Sequence, residues 1–148
     1  MVMVVIFIVA GITAPRFADL LPGTGLRKGA DQIFAGLRYA RNEAATYGVR
    51  IRFEISGSTY RLTVERHPWK SPERFESMGA AWDSTPLPAE VEFSTLDGFT
   101  DGSYVEFRAD GTASADATIG LRNTAGEERT ILVTGTTGEV RFKKEKSE

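Results

Sequence analysis

The chain has 148 residues, of which 41% are hydrophobic and 26% charged, with a net charge of −2. That is enough for one domain with a sizeable core, and it makes no bulk electrostatic case for nucleic acid or acidic lipid. It has no cysteine, which removes disulfides, thiolate metal sites and cysteine nucleophiles together, and its single histidine, His67, stands beside Pro68 without clustered partners for a metal.

The first segment, "MVMVVIFIVAGITAPRF" (1–17), runs fourteen residues without a charge before Pro15 and Arg16. A spanning helix takes about 20 apolar residues, so length alone does not make this one. No Lys or Arg precedes the run, which argues against a secretion signal. Residues 1–9 are apolar on every face, so a helix here has to be surrounded by protein or lipid. The reading that accounts best for these features is the surviving end of a longer apolar helix, kinked at Pro15. Pro22, Gly23 and Gly25 then interrupt or loosen the helical pattern, and "PGTG" lacks the spacing of a phosphate loop.

From Leu26 the pattern is helical. Leu26, Ala30, Ile33, Leu37, Ala40 and Ala44 alternate steps of four and three on one face, and Gly48 is a natural stop. The stripe predicts an amphipathic helix covering a sheet. The period then changes to two. "VRIRFEI" (49–55), a turn at "SGS" and "TYRLTVE" (59–65) predict a hairpin with one buried face. Residues 66–88 carry four of the six prolines and no steady period, and so predict a long loop. Its Trp69, Phe75 and Trp82 either pin it over the sheet or contact a partner. "AEVEFS", "YVEFRAD", "DATIGLRN", "RTILVTG" and "GEVRFK" then predict short antiparallel strands, joined at "DGT" (110–112), "NTAGEE" (123–128) and "GTTG" (135–138). Helices and strands are segregated along the chain, so the fold class is α+β. Charge is segregated too. Residues 16–74 hold 11 Lys/Arg against 6 Asp/Glu, and residues 75–148 hold 7 against 14. Either a bipolar surface suited to head-to-tail contacts or unrelated solvated faces explains this.

In this order the segments resemble a known family, the type IV pilin-like minor pseudopilins of the GspH/FimT group. "VVIFIVAGITAPRF" resembles the late part of the pilin N-terminal helix. "GLRYARNEAATYGVRIRF" (36–53) is similar to the group's helix-to-strand signature, and "VEFRADGTASADATIGLRN" (105–123) with "RTILVTGTTGEVRF" (129–142) to its closing sheet. The family's basic leader, processing-site Gly and following Glu have no counterpart here, and the expectation is a chain N-terminally truncated within the helix.

The resemblance implies a pilin-like α+β fold, in which a long apolar helix continues into an amphipathic helix packed on antiparallel sheet. The expected division is 1–21 as the apolar helix remnant and 22–148 as a periplasmic globular domain. The implied function is that of a minor pseudopilin of a type II secretion system, a structural subunit that helps initiate or cap the pseudopilus. A non-enzymatic subunit without a cofactor is expected; nothing like G-x-S-x-G accompanies His67. The implied partners are other major and minor pseudopilins, the bacterial inner membrane through a single-pass helix, and secretion-channel or exoprotein surfaces. On this reading Trp69, Phe75 and Trp82 are the partner-contact candidates. The alternative is a FimT-like minor pilin of a type IV pilus that takes up DNA. A Gly-Arg-x-Arg element is associated with that role, and "GEVRFKKEK" (138–146) matches it at Gly138 and Arg141 but has Glu139 at the first Arg position. Arg141, Lys143, Lys144 and Lys146 are the phosphate-contact candidates of that alternative, with the salt dependence it entails.

Overall fold

The computed structural model describes residues 24–144; the expected apolar helix of residues 1–21 and Lys146 lie outside them. Among the described residues no helix is long and apolar enough to cross a membrane. Helix α1 spans Thr24–Tyr47 and buries Leu26, Ala30, Ile33, Leu37, Ala40 and Ala44, the full predicted stripe. It also buries Gly29 and Gly36, which the apolar pattern does not select. Glycine costs a helix about 1 kcal/mol per residue against alanine. Here it lets side chains approach the helix axis: a Cβ on Gly36 would lie 3.3 Å from the Phe53 ring and 3.5 Å from that of Trp82. Gly48 ends the helix with φ of 63°, a left-handed conformation that suits glycine, and the Val49 amide donates back to the Ala44 carbonyl.

The strands are β1 (Arg50–Ser56), β2 (Thr59–Glu65), β3 (Glu76–Ser77), β4 (Thr85–Pro86), β5 (Val91–Asp97), β6 (Tyr104–Phe107), β7 (Ala117–Asn123), β8 (Glu128–Val133) and β9 (Val140–Phe142). They form two antiparallel sheets. The first runs β3-β2-β1-β6, with β4 also paired to β2, and the second runs β5-β7-β8-β9. Consecutive strands therefore change sheet at β5, β6 and β7. α1 packs against β1 of the first sheet and β7, β8 and β9 of the second, so it covers both where the sequence pattern asked for one. Phe34 of α1 stacks on Phe142 of β9, with ring centroids 4.6 Å apart, which ties the last strand to the helix.

The turns have the chemistry their composition implies. Asp110 accepts both the amide and the hydroxyl of Thr112, at 2.9 and 2.6 Å, and these bonds hold its carboxyl below the usual range. Asn123 Oδ1 accepts the amides of Ala125 and Glu127 at the β7–β8 turn.

The β1–β2 hairpin departs from a simple one-faced strand pair. Its inner face buries Ile51, Phe53, Ile55, Tyr60, Leu62 and Val64 as the alternation requires. Thr63 and Glu65, on the opposite face, are buried as well, because the loop after β2 folds back over them.

Candidate interaction surface

The 66–88 segment carries no periodic signal because it makes three short attachments where a regular element would be. β3 pairs with Thr63 and Val64, the Met78 amide donates to the Leu62 carbonyl, and β4 pairs with Thr59 and Tyr60. Together they occupy the outer edge of β2, which would otherwise offer unpaired backbone groups to another chain.

Side chains hold the loop down at two further points. The Phe75 ring lies under the Arg52 guanidinium, 3.6 Å from centroid to carbon, and Arg52 also stacks on Tyr104 at 4.2 Å. Beside it Glu65 takes a two-pronged bond from Arg50, at 2.6 and 2.8 Å, and accepts the Glu73 amide. Glu106 completes the network with Arg52 at 3.1 Å and Arg50 at 3.4 Å. Glu65 is only 2% exposed, and the Arg50 guanidinium holds its carboxyl below the ordinary glutamate range. Trp82 closes the 3-10 turn Ala80–Trp82 and stacks on Tyr39 of α1 at 4.8 Å.

The three candidate aromatics of this loop thus occupy different environments. Phe75 and Trp82 are half-buried against the head, whereas Trp69 is 79% exposed and touches only the edge of the His67 ring among aromatic partners, at 5.4 Å. The other two exposed large hydrophobics among the described residues are Tyr47, at 69%, and Tyr39, at 37%. All three line one groove, of about 670 Å³, between the C-terminal half of α1 and the start of the loop, floored by Val49, Val64 and Met78. Sequence reasoning missed Tyr39 and Tyr47. The available signal was their spacing: Tyr39, Glu43 and Tyr47 recur every fourth residue in a row flanking the core stripe, where aromatic residues gain little unless something covers them.

Along the loop side of the groove stand cations. Arg66, His67, Lys70 and Arg74 border an adjoining hollow of about 230 Å³ with Glu76 as its one carboxylate. Arg74 pairs with Glu76 at 3.6 Å, whereas Arg66 and Lys70 are exposed and make no ion pair among the described residues. Among the described residues there is also no group of three or more His, Asp or Glu side chains placed to hold a metal.

The C-terminal basic candidates are separate from this groove. Arg141 sits in β9 opposite Leu132, and the Lys143 amide extends the pairing to the Thr130 carbonyl; Arg141, Lys143 and Lys144 are exposed. Gly138 has a structural reason to be glycine. Its φ is 66°, and a Cβ there would collide with the Gly111 carbonyl oxygen, which also accepts from Arg41 at 3.3 Å.

This head has close counterparts. The minor pseudopilin EpsH of the type 2 secretion system of Vibrio cholerae superposes with a TM-score of 0.65 at 10% identity, over 80% of this chain and 95% of that one. The solution structure of Escherichia coli GspH gives 0.63 at 21% identity, over 84% and 92%. The type IV minor pilin FimU of Pseudomonas aeruginosa gives 0.57 at 17%, over 80% and 88%. At these identities the likeness concerns the fold. None of the curated proteins matches the sequence. Residues 29–138 match the family model for type II transport protein GspH, and this range runs from the buried face of α1 to the turn before β9. The chain belongs to the GspH family of type II transport proteins.

Proposed function

We propose that this chain is a minor pseudopilin of a type II secretion system, a non-catalytic subunit that helps initiate or cap a periplasmic pseudopilus. The observation that carries the reading is a two-sheet head packed on a long helix, in a chain whose first fourteen residues carry no charged side chain. An apolar helix of that kind is retained by the inner membrane before assembly. In a filament the same surface packs against sister helices, so assembly requires no separate polymerising face. The head then stays in the periplasm with its loops free for partners, Trp69, Phe75 and Trp82 among their contact candidates.

Crosslinking mass spectrometry on native membranes, with the full chain expressed from its own locus, tests this. Adducts to other secretion pseudopilins are the expected result; exclusive adducts to type IV pilus components would overturn the secretion assignment.

A second reading, nucleic-acid binding, draws on one observation: Arg141, Lys143 and Lys144 are exposed without ion pairs among the described residues. It requires duplex affinity that falls steeply with salt and drops on Lys143→Ala/Lys144→Ala. Fluorescence anisotropy with labelled duplex checks both.

A further inference from the structure

The aromatic groove and the cations beside it lie at one end of the head. β1 leaves the C-terminus of α1 at Val49 and runs back along the helix: Val49 bonds to Ala44, and Phe53 packs beside Gly36. The groove borders Tyr47, Val49 and Trp69, at the start of β1 and the end of β2. It is therefore at the C-terminal end of α1, remote from Thr24.

The opposite end of the hairpin is acidic. Ile55 donates to the Ser103 carbonyl, which brings the β5–β6 connection against the end of β1. That connection carries exposed Asp101, and exposed Asp83 lines the neighbouring concavity with Glu54 and Arg61, which pair with each other. The two ends are separated by the length of a seven-residue strand, about 20 Å, so they cannot satisfy one another within a single head. They can do so between heads displaced along the helix direction, a heterologous contact of the kind that builds an open helical assembly.

We infer that the groove formed by Tyr39, Tyr47 and Trp69, with Arg66 and Lys70 at its margin, docks the acidic base of an adjoining pilin-type head, the chemistry this chain itself presents at Asp83 and Asp101. The inference rests on the assembly proposed above and names the face and the partner chemistry. Three exposed aromatics in one groove supply apolar contact area at low entropic cost, and the two unpaired cations select an acidic occupant. Glu43 is the one carboxylate bordering the groove, and it belongs to the helix wall and not to the cation-bearing loop.

The test is photo-crosslinking in native membranes with the full chain, placing p-benzoylphenylalanine at Tyr47 and, in a second strain, at Ile6 in the apolar segment. The Tyr47 probe is expected to give an adduct that maps to an acidic segment at the base of a pilin-type head. That adduct should fall by about tenfold in Trp69→Ala and in Arg66→Glu/Lys70→Glu. The Ile6 adducts to neighbouring apolar helices should be unchanged in both. All three substituted side chains are exposed, so the folded head survives the changes. An adduct to lipid or to a neutral or basic segment overturns the inference. So does an adduct indifferent to the charge reversal, and so does no Tyr47 adduct while Ile6 still crosslinks to neighbours. Loss of both probes' adducts overturns the assembly reading and this inference with it.

Discussion

Trp69 and Trp82 share one loop and one residue type, yet what each touches gives them opposite consequences when removed. Trp82 stacks on Tyr39 and packs at Gly36, so Trp82→Ala is expected to cost about 2–4 kcal/mol, measured by urea denaturation. Trp69→Ala removes an exposed ring and should leave stability within about 0.5 kcal/mol. Glu65 makes a charge-specific prediction. Its pKa in the folded state is depressed by Arg50, so the stabilisation is complete above the ordinary glutamate value and is lost as pH falls through the depressed one. Glu65→Gln should therefore destabilise the head by about 1–3 kcal/mol at pH 7 and flatten the acid limb of a stability-against-pH curve. A variant with the wild-type acid limb would show that the pair carries no linkage. At Gly138 both the left-handed backbone and the Gly111 carbonyl oppose a side chain, so Gly138→Ala is expected to cost more than about 2 kcal/mol by the same denaturation measurement. If the variant were as stable as the parent, the glycine of the "GEVRF" stretch would lose its structural explanation.

At the level of elements, the contrast is between segments that bury a face and the segment that only covers one. α1, β1 and β2 supply Ile33, Leu37, Ile51, Phe53 and Leu62, all fully buried. Residues 66–74 are exposed apart from Ser71 and are joined by turn hydrogen bonds from Lys70, Ser71 and Arg74. Hydrogen exchange should accordingly show β1 and β2 amides opening only with global unfolding and the 66–74 amides exchanging through local opening. Equal protection would mean that the loop is part of the cooperative core. The same contrast explains what was legible. α1, the hairpin and the later strands announce themselves because burial on one face imposes a period of 3.6 or 2 on the sequence. β3 and β4 do not: two residues each leave no period, and their hydrogen bonds are to the backbone of β2, which does not select side chains.

For the whole molecule, the split of charge along the chain becomes a split in space only in part. The basic first half supplies Arg66 and Lys70 at the groove, and the acidic second half supplies Asp83 and Asp101 at the opposite end of the hairpin. Other charges of both halves meet inside one network, where Arg50 and Arg52 pair with Glu65 and Glu106. Contacts between heads should therefore weaken with ionic strength while the Arg50–Glu65 pair, whose carboxylate is 2% exposed, persists. Crosslinking yield and thermal stability across a salt series separate the two. Parallel decline of both would mean that the surface cations belong to the fold.

The amino-acid order by itself determined the α+β class, the core stripe of α1, the hairpin and the turn residues, because each of these is a local demand: a period, a stop or a left-handed backbone. It also carried the family resemblance, through the helix-to-strand stretch 36–53 and the closing strands. Only the tertiary structure decided that β5, β6 and β7 alternate between sheets, that Gly29 and Gly36 are core positions, and that Phe75 and Trp82 are half-buried against Arg52 and Tyr39 while Trp69 joins Tyr39 and Tyr47 in one groove. These are meetings between residues distant in the chain. No local period encodes them, because the free energy that selects them comes from packing that exists only once α1 and both sheets are in place.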